Sequence, residues 1–212
     1  MIPSLASLVN AFGDFSFAGV FLITWIAPDT FGPETVRFLM LVMLMEFVVV
    51  HSSAFMGTVV VSRAGKTARA TALVGFGLFY SIFAGAFALV FKSWWPITMF
   101  WGLTLNRMLG VIFGQAPDDD QKAFVQRGWA ASALFYLGGC FLTVLLPVPR
   151  LGISAAVIAA EHLTASGLWV DQPQRVLAFG VIYFTLTGLS DLKGHSWASR
   201  LKVASKGPAS LD

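Results

Sequence analysis

Apolar residues run through this chain in long blocks separated by short clusters of charge, and the blocks define its elements. Residues 70–91 and 128–149 carry no ionised side chain, 22 positions each. That is enough to cross a hydrocarbon core of about 30 Å at 1.5 Å per residue. Three further blocks reach this length with one ionised residue inside them: 1–28 around Asp14, 38–62 around Glu46 and 93–117 around Arg107. A sixth, 172–190, holds Arg175 near its start. The pattern predicts an all-α polytopic bundle in one domain, with six transmembrane helices at about 4–27, 36–61, 70–91, 95–114, 129–148 and 172–190. Residues 149–171 are also apolar, but Pro149, Gly152, Glu161 and His162 predict an outer re-entrant or interfacial loop there.

Composition agrees with this reading. Of 212 residues, 57% are hydrophobic and only 12% charged, about half the share typical of soluble domains. So little polar material cannot cover a water-soluble globule of this length. The net charge of +3 comes from scattered Lys and Arg, which excludes the concentrated basic face that nucleic-acid binding requires. The Arg63, Lys66, Arg69 cluster marks the loop after the second span as cytoplasmic. By alternation both termini are then cytoplasmic, with nine of the 14 cations inside, four outside and Arg107 buried. A bacterial-type inner membrane fits this topology. The first ten residues lack the basic stretch of a cleavable signal, so the first span is expected to stay in place. The lone Cys140 allows no intramolecular disulfide.

Ionisable groups within the bilayer cost roughly 2.5–3.5 kcal/mol each on insertion scales, so they need partners or water. Asp14, Glu46, His51 and Arg107 are the candidates for a polar path or a buried ion pair. Counted from the cytoplasmic helix ends, Asp14, His51 and Arg107 lie at similar depth, which favours an Asp14–Arg107 pair with His51 nearby. Glu46 and His51 are five residues apart, about 140° around a helix at 100° per residue. They therefore point at two different neighbouring helices.

Haem would need His51 and His162 to face each other across the bundle, with the outer loop folded inward. Asp191 and His195, four apart at the cytoplasmic end of the last helix, have the spacing of a metal-ligand pair, although Gly194 between them favours a solvated helix end. The 118–120 acidic run reads as a helix cap. Gly110 and Gly114 form a GxxxG pattern, and Ser81 with Gly85 a small-xxx-small pattern. Both predict close helix packing, within the chain or between copies. No nucleotide loop, catalytic triad or zinc motif is present.

Three segments carry a resemblance: 19–25 ending at Trp25 and followed by Glu46, then 105–107 ending at Arg107, then 188–195 from Gly188 through Asp191 to His195. They resemble an uncharacterised domain-of-unknown-function family of prokaryotic polytopic membrane proteins. That family has a Trp-ending first helix, an acidic residue in the second, a later basic residue and a closing Asp-to-His pair. The resemblance implies no activity and singles out Glu46, Arg107, Asp191 and His195.

Two functions remain open on these residues. One is transport or conduction of protons, ions or small solutes through a polar path, in a protein that associates with the lipid bilayer and with copies of itself. The other is a structural or assembly subunit of a larger, energy-transducing membrane complex. An enzyme would need a cofactor or nucleophile arrangement that the sequence does not contain.

Overall fold

The computed structural model describes residues 5–113, 119–161 and 166–193, and among them it is helical with no strand. The elements are α1 (Leu5–Ile26), a short 3-10 turn (Pro28–Phe31), α2 (Thr35–Val61), α3 (Lys66–Val90), α4 (Trp95–Phe113), α5 (Asp119–Leu145), α6 (Ala155–Ala160), α7 (Leu168–Asp171) and α8 (Pro173–Leu192). Five helices, α1, α2, α3, α5 and α8, are long and apolar enough to cross a membrane. α4 has 19 residues, nearly the length required, but Pro96, Asn106 and Arg107 dilute its hydropathy. The sequence expectation of six spans thus meets five helices of unambiguous apolar character.

Helix boundaries follow local chemistry. α8 opens on Pro173, whose missing N–H costs nothing in a first turn. Lys92 adopts φ +50° just past the end of α3, the left-handed geometry that closes many helices. Cations then satisfy the terminal carbonyls. Lys66 Nζ donates to Ile112 O of α4 (2.8 Å) and Arg69 to Val60 O of α2 (2.9 Å). Arg175 donates to Val144 O and Leu146 O at the end of α5 (3.1 Å each). Each places positive charge on the negative end of a helix dipole.

α2 occupies the centre, packed against α3, α4, α5 and α8, while α8 lies along α1 and α5, and α3 along α4. The α1–α8 seam depends on absent side chains. A Cβ on Gly180 would stand 2.2 Å from the Phe21 ring, and one on Gly188 3.1 Å from the Phe15 ring. Gly139 of α5 likewise accommodates Phe179, at 2.8 Å. Aromatic contacts fill the space so created, with Tyr136 edge-on to Phe179 at 4.8 Å and Phe17 stacked on Phe184 at 5.1 Å.

The small-residue motifs divide. Ser81 and Gly85 do face α4: Trp101 Nε1 donates to Ser81 Oγ (2.9 Å), and a Cβ on Gly85 would touch Ile97 at 4.0 Å. The tightest point of that seam is Gly77, where a Cβ would meet Trp101 at 3.1 Å. Gly110 is exposed, and a Cβ there would meet nothing within 4 Å, so it packs against no other helix among the described residues. Gly114 lies outside the described residues.

The 149–171 loop covers the end of the bundle where α1 finishes. Trp25 Nε1 donates to Pro149 O (3.0 Å), Gly152 N to Trp25 O (3.1 Å) and Arg37 N to the Glu161 carboxylate (3.1 Å). Its helices α6 and α7 have six and four residues, too short to cross a bilayer.

The glycine seam gives a test. Gly180→Ala should destabilise the bundle by about 1–3 kcal/mol through overpacking. The loss is read as a lower unfolding midpoint in a detergent titration, and Phe21→Leu in the same chain should recover part of it.

Candidate functional site

The central helix distributes its polar groups to different neighbours. Glu46 faces α8, where Tyr183 Oη donates to its Oε2 at 3.0 Å. His51, on the surface of α2, faces α3, and its Nδ1 lies 2.7 Å from Tyr80 Oη. Phe47 and Phe55 flank the imidazole, with ring centroids at 5.6 and 5.4 Å. The 140° between Glu46 and His51 thus becomes a real divergence between two helices. α5 is tied to α2 through backbone carbonyls: Tyr136 Oη donates to Met43 O and Trp129 Nε1 to Val50 O, both at 2.9 Å. Both pairs are separated by seven residues, two helical turns, so one antiparallel register satisfies them together.

Arg107 corrects the sequence expectation. Its guanidinium donates to Ser53 Oγ (2.6 Å) and Met56 Sδ (3.0 Å), both on α2, and it forms no ion pair with Asp14. Counting residues gives the two a similar depth, but α1 packs against α8 whereas α4 packs against α3. The helix arrangement keeps them apart.

Asp14 instead belongs to an acidic cavity of about 440 Å³, open at one side. Asn10 and Asp14 enter from one face of α1, and Tyr183, Thr187 and Asp191, each four residues apart, form a stripe on α8. Glu46 of α2 and Ser132 of α5 form the inner wall. Close approach at Gly188 makes this geometry accessible, since a Cβ there would stand 3.2 Å from the Asp14 Cβ. Three carboxylates from three helices therefore share one open cavity, and no Lys or Arg is among its described lining residues. Among the described residues, no three His, Cys, Asp or Glu side chains stand close enough to hold a metal ion.

Asp191, read from the sequence as a helix-end partner of His195, lines this cavity. His195 and the second haem candidate, His162, lie outside the described residues. Asp119 and Asp120 fall in the first turn of α5. The Lys122 ammonium, 2.8 Å from Asp119, holds that exposed carboxyl below the usual carboxylate range. Sequence reasoning missed the tyrosines. Tyr80, Tyr136 and Tyr183 sit in aromatic-rich blocks where each reads as packing, and only the structure shows their hydroxyls meeting His51, a carbonyl and Glu46. The one available signal was that the chain has just 3 Tyr among 20 Phe.

No protein-family model matches this chain, and no curated protein or solved structure matches it either.

The reassignment of Arg107 is measurable by double-mutant cycles on unfolding free energy. Ser53→Ala and Arg107→Gln should couple by about 1–2 kcal/mol, the scale of a charged hydrogen bond. Asp14→Asn and Arg107→Gln should add independently.

Proposed function

We propose that this chain is a small transport protein that moves protons or a monovalent cation, with Glu46 as the central carrier and Asp14 and Asp191 as its access route. The observation that carries this reading is the convergence of three carboxylates in one open cavity whose inner wall includes Glu46. Carboxylates gathered in a low-dielectric setting are costly to keep ionised, and protons or a cation drawn from water relieve that cost. Tyr183 supplies a hydroxyl that holds Glu46 in place and can pass a proton along a hydrogen bond. Separation of the carboxylates beyond metal-binding distance favours a proton over a divalent ion.

In this reading α4 is the sixth span, with Arg107 satisfied by Ser53 and Met56 in place of lipid. Both termini then face the cytoplasm of a bacterial-type inner membrane, and the cavity opens on that side, because it is lined by the first half of α1 and the second half of α8. His51 and Tyr80 form a separate polar pair on the far side of α2. Membership of the family that the three quoted segments resemble belongs to the same proposal and adds no activity to it.

A second reading, a subunit of a larger membrane complex, is favoured by Gly110. This glycine is exposed, and a Cβ there would meet nothing within 4 Å, which leaves its face of α4 open to a helix of another chain or another copy.

The test is proton flux in liposomes containing the purified chain, driven by a potassium diffusion potential and followed with an internal pH dye. Glu46→Gln should abolish the flux and Asp14→Asn should reduce it, while Asp119→Asn, on the exposed start of α5, should leave it unchanged. If the wild-type chain conducts neither protons nor monovalent cations, the transport reading fails and the subunit reading replaces it.

A further inference from the structure

A second cavity, larger than the acidic one and independent of the transport reading, lies between α2 and α5. It is a groove of about 680 Å³, within the roughly 300–1,000 Å³ usual for small-ligand sites. Its walls carry small residues on both helices, Ser53, Ala54 and Gly57 on α2 and Ala123 and Ala130 on α5, with Gln126 and Arg127 lining it between the two alanines. Small residues would let two helices touch, yet here they stand apart. The Trp129–Val50 bond closes the inner end, and beyond it the helices separate toward the end of the bundle where α2 finishes and α5 begins. From Ser53 to Val61 the groove runs about 12 Å along the helix axis at 1.5 Å per residue.

Among the described lining residues the charge in the groove is of one sign. Arg127 lines it, and the Arg127 Nε is buried without a hydrogen-bond partner. Arg107 donates to Ser53, another lining residue. No Asp or Glu is among its described lining residues. Arg127 sits five residues from Lys122, where the apolar span of α5 begins, so its long side chain reaches the level of lipid headgroups, where a guanidinium settles while its stem stays in apolar surroundings. A buried donor with no acceptor costs free energy, and a phosphate oxygen is the acceptor that the guanidinium fork matches best.

We infer that this groove binds one anionic phospholipid from the surrounding bilayer, with an acyl chain between the small residues of α2 and α5 and the phosphate on Arg127. The apolar walls select a chain and the arginine selects the headgroup charge. A neutral zwitterionic lipid fills the same walls but carries its own cation, which competes with the guanidinium for the phosphate.

Native mass spectrometry of the full chain released from detergent, titrated with phosphatidylglycerol or phosphatidylcholine, tests this. The wild-type chain should retain phosphatidylglycerol about tenfold more tightly than phosphatidylcholine, the scale of one charge-assisted contact. Arg127→Gln should bring the two lipids level. Gly57→Leu, whose Cβ meets nothing within 4 Å, should weaken retention of both about tenfold by filling the groove, with an unchanged unfolding midpoint in detergent showing that the fold is kept. Equal retention of the two lipids by the wild-type chain, or phosphatidylglycerol retention unchanged in Gly57→Leu, would overturn the assignment. So would a wild-type dimer that Gly57→Leu converts to a monomer, since a second copy would then be the occupant.

Discussion

Every polar group inside a hydrocarbon layer must find its partner within the protein, and α2 is where this bundle meets that constraint. Its neighbours reach it through side chains that each answer one need: Tyr183 for the Glu46 carboxylate, Tyr80 for His51, Arg107 for Ser53, and Tyr136 and Trp129 for two backbone carbonyls. Glu46 and Ser53, seven residues apart, lie on nearly one face of α2 and His51 lies about 140° away from Glu46, so the rotation of α2 is determined from two directions. Turning it by one residue would break them together, whereas the apolar contacts of Met40, Met43, Met45 and Met56 would adapt, because methionine fills irregular space readily.

The same arrangement separates charge. Cations are drawn to helix ends, where carbonyls lack internal partners, or to Ser53 through Arg107. Carboxylates gather instead between α1, α2 and α8. Had Arg107 paired with Asp14, the pair would have been a neutral strut between helices. With Arg107 turned to α2, the acidic cavity keeps its sign. This separation connects the packing to the proposed function, and it originates in glycine: Gly180 and Gly188 draw α8 onto α1 so closely that Asp14 faces the α8 stripe.

Much of the fold was legible in the sequence because charge-free length is a strong signal in a membrane chain. The blocks at 70–91 and 128–149 correspond to α3 and α5, and the described parts of the 149–171 segment hold only the short helices α6 and α7. The divergence of Glu46 and His51 was readable from helical geometry alone. Neighbour identity was not. Depth along the membrane normal follows from counting residues, but the direction a side chain takes around the bundle depends on which helices adjoin, and α1 adjoins α8 from the opposite end of the chain. Gly180 and Gly188 gave no directional signal, since glycine in an apolar run has no side chain to mark a face. Tyr183 looked like one more aromatic ring until its hydroxyl was placed against Glu46.

The claim on which the account rests is that Glu46, near the middle of its helix, is reached by water through the cavity lined by Asp14 and Asp191. Labelling with a water-soluble carbodiimide, mapped by peptide mass spectrometry on the protein in liposomes, addresses it directly. Glu46 should be modified in the wild-type chain. The modification should be suppressed by Gly13→Leu, which places a side chain in the open space on the α1 wall of the cavity. An unmodified Glu46 beside a modified Asp119, or equal modification of Glu46 in the Gly13→Leu chain, would contradict the account.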